Sequence, residues 1–352
     1  MHKSIYLNDL SELSVTMNAV PNTPFTAFAK MLCLTTMNMR YERIAFDRGL
    51  STHPYVLTGE VVRDTLRQFR MLMEIAFIEG PNKTLESFKD STLANLHKEL
   101  WQQIWPRHDS AEYDEFVQLK AHRLKVNALT DLIQGKRCVE FGCGNGAFTL
   151  SMLQCGAAHA TGMDFGANSV EFARSQAERL GLAGQTNFFV SSVLDTGLDT
   201  ASFDFAVSNG VFHHLQAADM PRALAEAARV LKPGGWFWYY IDGKGAISMD
   251  LWDTTVDIMK EVDLSFMEGV LKMMNVSRNK AVHIMDGSNA IYIHSTLEET
   301  IAQLDACGFE NFRRLTGGTG TDLDADVVEA DPFGEAKFGC GDLRILCQRK
   351  GG

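Results

Sequence analysis

No stretch of this 352-residue chain holds the roughly 20 consecutive apolar residues that a membrane helix needs. The greasiest run, residues 24–39, carries Lys30 in its middle. The opening residues, Met1-His2-Lys3-Ser4 followed by Asn8 and Asp9, lack the apolar core of a signal peptide. Basic residues never run longer than two, and 33 Lys and Arg against 44 Asp and Glu give a formal net charge of −11. A nucleic-acid partner, which needs a basic face, is therefore not expected. The seven cysteines, at 33, 138, 143, 155, 307, 340 and 347, contain no Cys-x-x-Cys pair and are odd in number. They read as reduced thiols of a cytoplasmic protein. No His, Cys and carboxylate group stands at zinc spacing, so no metal is expected. Internal repeats and low-complexity tracts are missing as well.

What is present divides near residue 131. Residues 1–130 read as mostly helical: apolar positions 61, 62, 66, 69, 72, 73 and 76 give 58–78 a helical period, and 87–105 and 111–132 continue it around a break at Pro106. From Lys136 the period changes to short β-rich runs alternating with amphipathic stretches, as in a parallel sheet with crossover helices. Strands are predicted at 137–141, 159–164, 186–190, 203–208, 235–241, 309–315 and 342–348. Helices are predicted at 147–154, 169–180, 220–230 and 296–307. A helical block at 247–275 interrupts the alternation after the fifth strand. The Gly- and Asp-rich segment 317–341 reads as a long loop. The expected organisation is a helical N-terminal region, 1–130, serving as a cap or for oligomerisation, and a doubly wound α/β domain, 131–352, with a helical insert at 243–295.

The strongest chemical signal is CVEFGCGNGAF at 138–148. Glycines 142, 144 and 146 permit a tight turn and let a ligand approach the backbone closely. The same residues satisfy G-x-G-x-x-A through Ala147, so a dinucleotide site competes. Glu140, two residues before the first glycine, is awkward beside a pyrophosphate but suits a ligand bearing an ammonium and a sulfonium. The second strand ends in Asp164, 24 residues after Glu140, where a carboxylate can accept from a ribose diol.

With these residues on view, the chain resembles the Rossmann-like (class I) S-adenosylmethionine-dependent methyltransferases of small molecules. The resemblance runs over about 110–242 and rests on four ordered blocks: VEFGCGNG, TGMDFG, SFDFAVSNGVFHHL and ARVLKPGGWFWY. It implies S-adenosyl-L-methionine as cofactor. Glu140, Gly142, Cys143, Gly144 and Gly146 would line its methionine part, Asp164 its ribose and Phe165 its adenine. Where the family usually has an acidic residue after the third strand, this chain has Ser192, next to Val193. Ser192 itself, Asp195 from a shifted loop, or backbone alone would then meet the adenine amino group. Asn209 would contact the methionine moiety.

The tandem His213-His214 occupies the family's His-His-Leu position. Adjacent histidines point apart, which suits metal binding poorly, but a pKa near 6.5 suits a proton acceptor. Tyr240 and Asp242 leave the fifth strand at its carboxyl end, where ligands bind in open α/β sheets. His283, Asp286, Tyr292 and His294 form a polar knot in an apolar region. The candidate catalytic residues are thus His214, Tyr240, Asp242, Tyr292 and His294. The expected activity is in-line methyl transfer to a small-molecule acceptor, which needs positioning and water exclusion more than a nucleophile. The rival within the same cofactor is aminocarboxypropyl chemistry releasing methylthioadenosine. The insert, with Leu251, Ile258, Val262, Phe266 and Val270 on one face, reads as a lid over the acceptor or as the contact of a homodimer.

Overall fold

A computed structural model of the chain describes residues 1–76, 110–277, 280–281, 284–285 and 292–351. Its packing separates two units. The first gathers the described residues within Met1–Leu100, Gly245–Ala290 and Val328–Gly339, and the second those within Trp101–Lys244, Ile291–Val327 and Cys340–Gly352. Consecutive blocks with a boundary at 130 differ from this discontinuous division. The helix at 110–126 packs with the sheet, while the insert and residues 328–339 pack with the N-terminal helices.

In chain order the helices are α1 (His2–Asn18), α2 (Pro24–Ala45), α3 (Pro54–Ala76), α4 (Ser110–Val126), α5 (Thr130–Ile133), α6 (Ala147–Gln154), α7 (Ala167–Arg179), α8 (Met220–Val230), α9 (Ile247–Met259), α10 (Leu264–Met273), α11 (Leu297–Ala306), α12 (Ala325–Ala330) and α13 (Gly334–Phe338). The strands are β1 (Arg137–Phe141), β2 (His159–Asp164), β3 (Thr186–Val190), β4 (Phe203–Asn209), β5 (Leu231–Asp242), β6 (Phe309–Arg314) and β7 (Asp342–Arg349).

The second unit is built on one seven-stranded sheet of order β3-β2-β1-β4-β5-β7-β6. The pairs among β1 to β5 are parallel, and β7 runs antiparallel to both β5 and β6. This is the doubly wound Rossmann-like sheet. Central strands covered on both faces must be apolar on both: Cys138, Val139 and Phe141 of β1 are all fully buried, with Glu140 the polar exception. α8 shows how a crossover helix is specified. Pro221 opens its first turn, and Met220, Ala223, Leu224, Ala227 and Val230 recur every three or four residues and are buried. The parallel order brings the carboxyl ends of β1, β2, β4 and β5 to one edge, where the side chains of interest stand.

Residues 317–341, expected as a loop, contain the short helices α12 and α13. The segment also carries Asp322 and Asp324 to Arg344 of β7. Asp322 accepts from Arg123 and Arg344 at 2.7 Å each, and Asp324 from Arg344 at 3.0 Å. These charges are buried. Removing one partner of such a set strands another charge without solvent and costs on the order of 3–5 kcal/mol.

In the first unit, α1 buries Tyr6, Leu10, Leu13 and Met17, a single stripe of spacing four, three and four. Among the insert helices, α9 and α10 are separated by a turn that the sequence pattern runs through. Asp263 caps α10 by accepting from the amides of Ser265 and Phe266. Asp257, half-buried on α9, accepts from Ser14 and Asn18 of α1. Lys337 is fully buried, its ammonium donating to Asp331 and to the Asp47 carbonyl at 2.7 Å each. Its own carbonyl accepts from the Tyr41 hydroxyl at 2.6 Å. No described helix is long and apolar enough to cross a membrane.

Candidate functional site

The glycine loop joins β1 to α6, and its conformation explains its composition. Gly142, Gly144 and Gly146 all have positive φ, which L side chains resist. Two of them are also demanded by packing. A Cβ on Gly142 would lie 2.5 Å from Val211, and one on Gly146 would lie 2.7 Å from Ala173 and 3.0 Å from Phe188. The Cys143 amide donates to the Met163 carbonyl at 2.8 Å, fastening the loop to the end of β2.

Asp164 completes that fastening. Its carboxylate accepts from the Gly144 amide at 2.9 Å and from the Gly166 amide at 2.8 Å, one oxygen each. An ionised carboxylate at the end of the second strand is the type of group that accepts from a vicinal diol. Asn145, 3% exposed, caps the Ala147 amide with its side-chain oxygen, while its amide nitrogen has no partner. A buried donor left open costs free energy unless something accepts from it.

Glu140 is buried, and its carboxylate accepts from the Thr149 hydroxyl and amide. Burial pushes its pKa up to about 8, with the Thr149 bonds and the Lys120 charge opposing the shift and Asp164 adding to it. Phe165 is 39% exposed. Ser192 is turned into its own loop, where its hydroxyl accepts from the Leu194 amide at 3.2 Å, and it forms an isolated bridge with the exposed Asp195. Val193 packs against the sheet's core. Asn209, at the end of β4, accepts from the Trp238 indole at 3.3 Å, which orients its amide.

The five catalytic candidates gather around a residue that the sequence reading treated only as a neighbour. His213 is buried, 4% exposed. Its Nδ1 accepts from the Asp242 amide at 3.3 Å and its backbone carbonyl from Ile293 at 2.7 Å, joining the ends of β4, β5 and the returning chain. Burial lowers its pKa against the opposing pull of Asp242, as befits an accepting, neutral imidazole. The His214 ring lies 4.2 Å from that of His213 and 4.6 Å from that of Tyr292, and Tyr292 stacks parallel on His294 at 5.8 Å. Nδ1 of His294 is buried and has no partner among the described residues. The Tyr240 hydroxyl lies 2.8 Å from Asp242 and 3.3 Å from Asp342, and Arg344 covers the Tyr240 ring at 4.7 Å. Burial above all, then the charges of Asp242 and Asp342, push its phenol well up, so it stays protonated.

Asp342 and Arg344 were not legible beforehand. They lie a hundred residues from Tyr240 and meet it only because β7 pairs antiparallel with β5, setting Tyr240 opposite Arg344 and Asp242 opposite Asp342. His283 and Asp286 lie outside the described residues. No group of three metal-binding side chains occurs among the described residues.

Residues 139–239, which hold the glycine loop and its carboxylate, match the family described as "Methyltransferase domain". The methyl donor of such domains is S-adenosylmethionine, and the open Asn145 donor, beside the Asp164 carboxylate that anchors the glycine loop, fits it. Among curated relatives, the chain is similar to O-methyltransferase cnsE of Penicillium expansum, 30% identical over 44% of this chain and 53% of that one. It is similar to methyltransferase phqN of Penicillium fellutanum, 28% identical over 54% of this chain and 49% of that one. It also resembles the 27-O-demethylrifamycin SV methyltransferase of Amycolatopsis mediterranei (strain S699), 28% identical over 40% and 48%. The chain spans about half the length of these relatives.

Proposed function

We propose that the protein transfers a methyl group from S-adenosylmethionine to an oxygen of a small-molecule acceptor. The observation that carries the reading is the Gly144–Asp164 hydrogen bond, which makes the ligand-facing turn and the ribose-reading carboxylate one rigid piece. Bound in that cradle, the cofactor supplies an activated methyl on sulfonium. The chain's own residues have the remaining tasks. Asp164 orients the ribose, Asn145 and the glycine backbone hold the methionine end, and Asn209, fixed by Trp238, marks the edge facing the acceptor. A hydroxyl acceptor must lose a proton, and the open Nδ1 of His294, beside Tyr292, is the group suited to take it. The relatives' names, one an O-methyltransferase and one acting on a demethylrifamycin, support the acceptor class.

The insert 243–295 we read as selecting the acceptor through its returning end, because Tyr292, stacked on His294, packs against His213 and His214. Its entry and exit are held together, Gly243 bridging to Ser295. The unpaired cysteines support a reducing, cytoplasmic setting. Methyl-labelled cofactor incubated with the protein and pooled hydroxylated metabolites tests the reaction. S-adenosylhomocysteine matched by label in an acceptor is expected, undiminished by a chelator. Methylthioadenosine instead would mean aminocarboxypropyl transfer, and tight cofactor binding without turnover a binding protein.

A further inference from the structure

The cofactor proposed above carries a carboxylate as well as its ammonium and sulfonium, and the glycine loop supplies no cation for it. One stands on the neighbouring helix. α4 lies against α6, and its Tyr113 hydroxyl donates to the Asn145 carbonyl of the glycine loop at 2.9 Å. Two turns further along the same face comes Lys120. Its ammonium sits 4.9 Å from the centre of the Phe116 ring and 5.9 Å from that of Phe148, the second residue of α6. The ring faces attract a cation without accepting its hydrogen bonds in full, and Lys120 has no hydrogen bond or ion pair among the described residues. Arg123, one turn later, is by contrast fully committed to Asp322 and to the Gly317 carbonyl.

Two donors without acceptors thus stand near the start of α6: the Lys120 ammonium beside Phe148, and the buried Asn145 amide two residues before the helix. Backbone N–H groups at a helix N-terminus add to the preference for an anion. We propose that Lys120 is the countercharge of the carboxylate on the methionine end of S-adenosylmethionine, sharing it with the Asn145 amide. The inference rests on the cofactor reading above. Without that anion the ammonium is ill at ease: burial, and secondarily the Arg123 charge, push its pKa down to about 7, while Glu140 and Asp322 work the other way. The competing explanation is that Lys120 serves Glu140 alone.

Calorimetry on the full chain with two ligands separates these readings. The ligands are S-adenosylmethionine and its decarboxylated analogue, which keeps the nucleoside, sulfonium and amine. The unaltered protein is expected to prefer S-adenosylmethionine at least tenfold, the scale of one charge-assisted hydrogen bond. Lys120→Met should erase that preference by weakening S-adenosylmethionine alone, and Lys120→Arg should restore most of it. Thermal melts without ligand verify that both variants are folded. Equal weakening of the two ligands in Lys120→Met, or an undiminished preference, overturns the assignment while leaving the cofactor reading intact. Failure of the unaltered protein to bind either compound overturns both.

Discussion

The Gly144 amide donates to the Asp164 carboxylate across 2.9 Å, so the turn at the end of β1 and the acid at the end of β2 hold each other in place. Asp164→Ala removes this bond and the one to Gly166, along with the acceptor for the ribose. The expected result is a loss of S-adenosylmethionine affinity of tenfold or more, from about 1.5–3 kcal/mol per charge-assisted bond, with a lowered melting temperature. Unchanged affinity by calorimetry in the folded variant removes Asp164 from the site.

The glycines of the loop are expected to fail in different ways. Gly146→Val drives a side chain into Ala173 and Phe188 and should cost the fold about 1–3 kcal/mol from overpacking alone, visible as an early melt. Gly144, half-buried, should tolerate Val better in folding but lose the cofactor. A Gly144→Val variant that binds normally would refute the placement of the ligand on this turn.

Glu140 should make ligand-free stability fall with rising pH. Its folded pKa, about 8, lies above the ordinary glutamate value near 4.3, so the fold prefers the protonated form. The Glu140 contribution to stability is whole below pH 4, declines between about 4.3 and 8 by at most ~1.4 kcal/mol per pH unit, and is level above. Glu140→Gln keeps an acceptor for Thr149 without the charge. Denaturation curves should show this variant gaining on the parent from pH 5 to pH 8, and parallel curves would count against a protonated Glu140.

Removing acceptor-side groups should separate turnover from cofactor binding. His294→Ala and Tyr240→Phe are each expected to lower kcat about a hundredfold or more, the low end for a proton-transferring group, with cofactor Kd within about twofold of the parent. His213→Ala should instead lower the melting temperature, since Asp242 and Gly210 lose a buried partner. Intact kcat in both former variants would move the acceptor chemistry elsewhere.

Much of the second unit could be read because punctuation is local. α6 and α8 begin and end where Gly, Pro and apolar spacing place them, and β1, β2 and β3 coincide with their apolar runs. The cofactor half of the site lies on those same turns. The acceptor half depends on partners distant in sequence: Arg344 reaches Tyr240 through strand pairing, and His213 is recognisable as a hub only once β5 and residue 293 lie beside it. The break between α9 and α10 was hidden for another reason. Asp263 looks like one more surface acid until its carboxylate is seen accepting amides.

The helices at the start of the chain are completed by residues near its end. α13 inserts Lys337 into the first unit, where it satisfies Asp331, the Asp47 carbonyl and the Tyr41 hydroxyl, and that segment begins at Val328. During synthesis, α1 to α3 emerge long before this last piece. Closing so long a loop delays the contacts that reward it. The first unit must therefore wait, incompletely closed, while the sheet between its segments has all but its last strand translated. Truncation before Val328 would deprive the N-terminal helices of their final wedge.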